Sequence, residues 1–98
     1  MDPSWSNLIE RAKHNEKAAF QMLYQNSYAD VYRTVKLLIW NEEIVRETVQ
    51  DVYVKGFADI SSLEDPERFL PWVKRIAASR ASEWFRRTQG KPPSVERK

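Results

Sequence analysis

The residues best equipped for chemistry in this chain cluster in its last third. Lys74, Arg75, Ser79, Ser82, Arg86 and Arg87 fall within one short stretch. Guanidinium, ammonium and hydroxyl groups are donors suited to phosphate oxygens, and small polar groups can reach base edges. The charge distribution points the same way. Residues 1–65 hold 7 basic and 11 acidic side chains, a net of −4, whereas residues 66–98 hold 9 basic and 3 acidic, a net of +6. Such asymmetry suggests an anionic partner for the C-terminal third, nucleic acid first; a solvated basic helix with a tail gives the same count. Bond-making chemistry is poorly served. His14 is the only histidine and there is no cysteine. No Ser/His/Asp set, zinc-ligand cluster, disulfide or glycine-rich phosphate loop is present. Glu42, Glu43, Glu47 and Asp51 are the one carboxylate group of note, and their spacing reads as an exposed helix edge. Neither enzymatic activity nor a cofactor or metal is expected.

These side chains need elements to hold them. A chain of 98 residues with 42% hydrophobic and 31% charged residues has room for one soluble domain with one modest core. Only Gly56 and Gly90 are glycines, too few for the tight turns of an all-β fold. Four helical segments can be placed, which predicts an all-α, compact bundle of about four helices. The first runs near Ser4 to His14, with Asp2 or Ser4 as N-cap and Leu8, Ile9 and Ala12 as its apolar face. The second runs from about Glu16 to Ile39, where Phe20, Leu23, Tyr24, Ser27, Val31, Val35 and Leu38 recur at steps of three and four. The third follows Trp40, with Asn41 as N-cap and Val45, Val49, Val52, Tyr53, Gly56 and Phe57 as its stripe. Gly56 there suggests a close helix–helix approach. Residues 61–66 read as a loop. Asp65 then caps a fourth helix with Pro66 at its first position. Residues 1–90 are expected to form the domain and residues 91–98 to begin a linker or tail. Met1-Asp2-Pro3 opens no secretion signal, and no apolar run approaches the roughly 20 residues that span a bilayer. The expected location is the cytoplasm.

On the fourth helix, Phe69, Trp72, Val73, Ile76, Ala77 and Trp84 gather on one arc at about 100° per residue. Lys74, Arg75, Ser82 and Arg86 lie on the other, with Ser79 at its edge, while Arg80 and Arg87 fall close to the apolar arc and snorkel outward. An ordinary amphipathic helix with a basic exterior has the same pattern. Trp72 and Trp84 are expected in the core. The preceding loop, with the Ser61 and Ser62 hydroxyls and several backbone amides beside a basic helix, is the better place to hold a base that has left the stack.

Three stretches in order resemble a known family. Val45-Arg46-Glu47-Thr48-Val49-Gln50-Asp51-Val52-Tyr53 is similar to the sigma-factor pattern Ala-Glu-Asp-x-x-Gln-Glu-x-Phe. Phe69-Leu70-Pro71-Trp72-Val73-Lys74-Arg75-Ile76-Ala77-Ala78-Ser79, followed by Trp84-Phe85-Arg86-Arg87, is similar to Phe-x-x-Trp-Leu-x-x-Ile-Ala-x-Asn followed by Asp and paired arginines. Upstream, Ala18-Ala19-Phe20-Gln21-Met22-Leu23-Tyr24 fits the family's Ala-Phe-x-x-Leu-Tyr segment. Together they cover residues 5–90 and resemble region 2 of an extracytoplasmic-function (ECF) type RNA polymerase sigma factor.

The resemblance implies a role in bacterial transcription initiation and residues to perform it. The third helix would dock on the coiled coil of the largest subunit of core RNA polymerase through Glu47, Gln50 and Asp51, with Arg46 and Val54 as neighbours. The loop and fourth helix would melt and read the promoter −10 element, mainly on its non-template strand. This implicates Ser61, Ser62 and Leu63 in the loop and Lys74, Arg75, Ser79, Ser82, Glu83, Arg86 and Arg87 on the helix. An anti-sigma factor is a further implied partner. Several residues depart from the pattern. Ser79 replaces an Asn, trading an amide donor and acceptor for one hydroxyl; Glu83 replaces an Asp, Arg46 an acid and Tyr53 a Phe. The alternative is a stand-alone interaction module that binds polymerase or an anti-sigma factor without reading promoters by itself.

Overall fold

The computed structural model describes residues 4–89. Asp2 and residues 90–98, with the expected linker, lie outside the described residues. The described residues form four α-helices and two short 3-10 turns and contain no strand. The helices are α1 (Trp5–Lys13), α2 (Lys17–Lys36), α3 (Glu42–Ala58) and α4 (Phe69–Gln89). The all-α bundle is as expected, and each helix falls close to its predicted place.

Helix α1 has only 9 residues, too few to persist alone in water. It is held by packing: Leu8, Ile9 and Ala12 are fully buried. Ser4 caps it, its hydroxyl accepting from the Asn7 amide at 3.1 Å, a bond of a kind that stabilises by about 1 kcal/mol. Asn15, at φ 66°, ends the helix in the left-handed region that Asn tolerates better than most residues.

Helix α2 is unbroken through Asn26-Ser27. Ser27 sits in the apolar stripe because its hydroxyl is fully employed. It donates to the Leu23 carbonyl at 2.7 Å and lies 2.6 Å from the Tyr53 hydroxyl. With the single Ser27 proton committed to Leu23, Tyr53 must be the donor in the second bond. The helix stops at Lys36, short of the expected Ile39, because the chain tightens there. The Leu37 and Leu38 amides reach back three residues, to Thr34 and Val35, and the turn swings Ile39 into the core. Asn41 then caps α3, accepting from the Ile44 amide at 3.1 Å.

The fourth helix begins later than predicted. Residues 60–62 and 66–68 are 3-10 turns, and Asp65 caps the second of these, accepting from the Glu67 amide at 3.1 Å. Pro71 explains the delay. In an α-helix starting at Pro66, residue 71 would have to donate an amide hydrogen to the Glu67 carbonyl; proline has none, and its ring would strike that carbonyl. Starting at Phe69 places Pro71 in the first turn, where its missing hydrogen costs nothing.

The core is one cluster that draws on all four helices and on Ile60 and Leu63 of the connection. Phe69 is its largest fully buried side chain. Gly56 lies where α3 approaches α4. A Cβ there would stand 3.7 to 3.8 Å from Ile76, Trp72 and Val73, which is close packing that still leaves room for alanine. Trp72 and Trp84 are half-buried against the core, as expected. No helix among the described residues is long and apolar enough to cross a membrane.

Candidate functional site

The α3 residues implicated in docking, Arg46, Glu47, Gln50, Asp51 and Val54, are all exposed. The fold splits them over two flanks. Arg46, Gln50 and Val54 border a groove of about 410 Å³ between α3 and α2, lined also by Tyr24, Tyr28, Val49, Tyr53 and Phe57. Glu47 and Asp51 face a smaller cleft of about 220 Å³ towards α4, lined also by Ile44, Thr48, Arg80, Glu83, Trp84 and Arg87. One edge of the helical wheel thus becomes an apolar, aromatic flank and an acidic one.

The aromatic flank is ordered by its own packing. Phe20, Tyr24, Tyr28 and Tyr32 follow one another at steps of four along α2, and the Tyr24 ring meets the Tyr53 ring at 4.8 Å. Burial pushes the Tyr53 phenol up to about 12, so it stays neutral at the groove floor. At the N-terminal end of α3, Glu42 accepts from the Tyr32 hydroxyl at 2.6 Å and pairs with Lys36 at 3.4 Å and Arg46 at 3.7 Å. The Tyr32 bond is the main reason the Glu42 carboxyl titrates below its ordinary range, and the same bond raises the Tyr32 phenol.

On α4, Arg75, Ser79, Ser82 and Arg86 stand at steps of four, three and four, forming a single crest. Arg75, Ser79 and Arg86 are exposed and Ser82 is half-buried. Among the described residues no ion pair engages Lys74, Arg75, Arg86 or Arg87, whereas Arg80 lies 3.7 Å from Glu83. Lys74 is half-buried and sits about 120° around the helix from Arg80, away from the α3 side. Arg75 and Ser79 share a depression of about 410 Å³ with Lys55, Ile76, Arg80 and Glu83. Lys55 was not foreseen, since no spacing along the chain joins an α3 lysine to the α4 crest. Glu83 lines both this depression and the cleft that holds Glu47, Asp51 and Arg87. Of the residues implicated in docking, Glu47 and Asp51 are therefore neighbours of Glu83 and Arg87, implicated in DNA contact, across the α3–α4 seam.

In the connection, Ser61 and Ser62 are exposed. The Ser62 hydroxyl donates to the Asp59 carbonyl at 2.7 Å, which leaves its lone pairs open. Leu63 is placed differently from a ligand-facing residue. Its side chain is buried in the core, and its carbonyl already accepts from the Lys13 ammonium at 2.9 Å. The length of α4 separates this connection from Arg86 and Arg87 by roughly 25 Å, so the implicated residues form a track. Among the described residues no group of three or more His, Cys, Asp or Glu is arranged to hold a metal ion.

This all-α domain, with an exposed α3 edge beside a basic crest, has counterparts in sequence. It is 28% identical over 92 residues to the ECF RNA polymerase sigma-E factor of Haemophilus influenzae, covering 91% of this chain and 47% of that protein. It is 26% identical over 70 residues to the ECF RNA polymerase sigma factor SigX of Bacillus subtilis, covering 71% of this chain and 36% of that protein. Against the ECF RNA polymerase sigma-E factor of Escherichia coli it is 25% identical over 89 residues, covering 91% of this chain and 46% of that protein. No family model and no solved structure matches the chain. The chain spans less than half the length of these curated relatives. The matches bear out the resemblance carried by the motifs: along about nine-tenths of its length the chain is similar to ECF RNA polymerase sigma factors, as a region-2-like domain.

Proposed function

We infer that the chain acts in bacterial transcription initiation as the region-2-like part of an ECF-type sigma factor. The exposed α3 edge docks on the coiled coil of the largest subunit of core RNA polymerase. Glu47 and Asp51 supply charge complementarity and Arg46, Gln50 and Val54 an adjoining, more apolar contact. The α4 crest and the connection before it hold the non-template strand of the −10 element. Arg75, Arg86 and Arg87 anchor phosphates, Lys74 adds charge from the other flank, and Ser79, Ser82 and Glu83 lie where base edges pass. Ser61 and Ser62 face a base turned out of the stack. The role is non-enzymatic, consistent with relatives that are sigma factors, and its setting is the cytoplasm, where polymerase works. An anti-sigma factor covering the α3 edge is the natural antagonist.

The observation that carries this reading is the run of similarity to ECF sigma factors over 91% of the chain. The α4 cations Lys74, Arg75, Arg86 and Arg87, which have no ion pair among the described residues, support its DNA half. Two measurements test it separately. Substituting Gln50 and Asp51 by Ala abolishes co-purification with core polymerase; retained binding removes the docking role. Arg86→Ala and Arg87→Ala weaken binding to −10 non-template oligonucleotides and flatten the dependence of affinity on salt by about one unit of slope each. Unchanged slopes remove the DNA role and leave a docking module.

A further inference from the structure

The α3–α4 connection is tied along its length to α1, a helix that no motif implicates in function. At the C-terminal end of α1, the half-buried Lys13 donates through its ammonium to the Leu63 carbonyl at 2.9 Å, across fifty positions of sequence. At the N-terminal end, the Ser6 amide donates to the Glu67 carboxylate at 3.3 Å, where negative charge also suits the helix dipole. Trp5 packs on Phe69, the first residue of α4, with ring centroids 5.2 Å apart. Between these ties the connection is pinned from inside by Ile60 and Leu63, 5% and 4% exposed. Ser61 and Ser62 are left pointing outward from a backbone fixed on both sides.

Ordinary connections are mobile, and a loop that selects a base must hold its donors to within about 0.5 Å. The ties from α1 meet that demand. We propose that α1 is a splint for the α3–α4 connection, and that Lys13 is a positioning residue for base selection at Ser61 and Ser62, acting through the Leu63 carbonyl and not by touching DNA. The proposal rests on the DNA-reading half of the proposed function.

The test uses this chain and a short single-stranded DNA selected on it from a random pool, together with the same strand carrying each base changed in turn. A single mismatch typically weakens binding by about 5- to 150-fold. Lys13→Met keeps the aliphatic stem and removes the donor. It is expected to lower the ratio of matched to mismatched affinity about tenfold, to weaken mismatched strands less than about threefold, to leave the salt slope unchanged, and to leave co-purification with core polymerase intact. Lys13→Arg is expected to restore the ratio. If matched and mismatched affinities fall together and the salt slope drops by about one, Lys13 is a direct phosphate contact and the splint is wrong. An unchanged ratio also overturns it, as does failure of Lys13→Arg to rescue. Should Lys13→Met prevent folding, Glu67→Ala removes the acceptor at the other end of the splint and must lower the same ratio; if it does not, the proposal falls. Failure of the underlying DNA reading looks different: Arg86→Ala and Arg87→Ala then leave affinity untouched, or the wild-type chain has no base preference.

Discussion

The α3–α4 connection and the α2–α3 corner join neighbouring helices in opposite ways. The first buries Ile60 and Leu63 and is braced from α1 by Lys13, by the Ser6 amide on Glu67, and by Trp5. At the second, only Ile39 is buried; Leu37 is 75% exposed and Trp40 84% exposed. Apart from Ile39 and the half-buried Leu38, what holds that corner is polar and superficial: the Asn41 cap and the bonds Glu42 receives from Tyr32 and Lys36. Apolar burial is therefore invested in the connection whose shape the proposed function requires. The corner leaves a tryptophan, Trp40, open to solvent among the described residues.

The comparison is broken most directly by stability measurements. Leu63→Ala empties a buried site in the braced connection and is expected to cost about 3 kcal/mol in urea unfolding. Leu37→Ser and Trp40→Ser, at the open corner, are expected to stay within about 0.5 kcal/mol of wild type. A loss above about 1 kcal/mol for Trp40→Ser would mean that the corner is integrated into the core after all.

How much of this was legible in the chain depends on the range of the contacts. Helices α1, α2 and α3 announced themselves through apolar residues at steps of three and four and through Ser4 and Asn41 as caps, because both signals act within a few residues. Pro66 looked like a helix start and was only the start of a 3-10 turn; the decisive residue was Pro71, whose missing hydrogen acts four residues upstream. The implicated α3 residues read as one edge, since a helical wheel knows nothing of the neighbours on either side. Packing against α2 and α4 divides that edge into an aromatic flank and an acidic one. Lys13 and Lys55 were invisible as site residues because their partners lie across the fold. Trp40 was just as hidden: periodicity says which residues face a core and is silent on one beyond a helix end.

A finer contrast concerns the caps. Asn41→Ala removes one of the few ties at the open corner and is expected to cost about 1 kcal/mol. Asp65→Ala removes a comparable cap, but the braced connection keeps its buried Ile60 and Leu63, so a loss nearer 0.5 kcal/mol is expected. Thermal unfolding of the two variants side by side measures the difference. Equal losses would show that the α1 ties add nothing at Asp65.

The smallest effect is electrostatic and belongs to the corner alone. Glu42 titrates below its ordinary value of 4.5, chiefly because it accepts the Tyr32 hydroxyl, with help from Lys36 and Arg46. A carboxyl whose folded value is depressed contributes stability that is present above its unfolded value and lost as pH falls through the folded one. The corner should therefore loosen only below pH 4.5. Carboxyl carbon NMR of Glu42 follows this directly, and amide-exchange protection at Ile44 and Val45 reports the first turn of α3. In Tyr32→Phe the Glu42 titration should move back up towards its ordinary value while Lys36 and Arg46 keep it from arriving there. A wild-type Glu42 that titrates at its ordinary value would mean the Tyr32 bond does not hold the corner in solution, leaving the Asn41 cap as its main polar restraint.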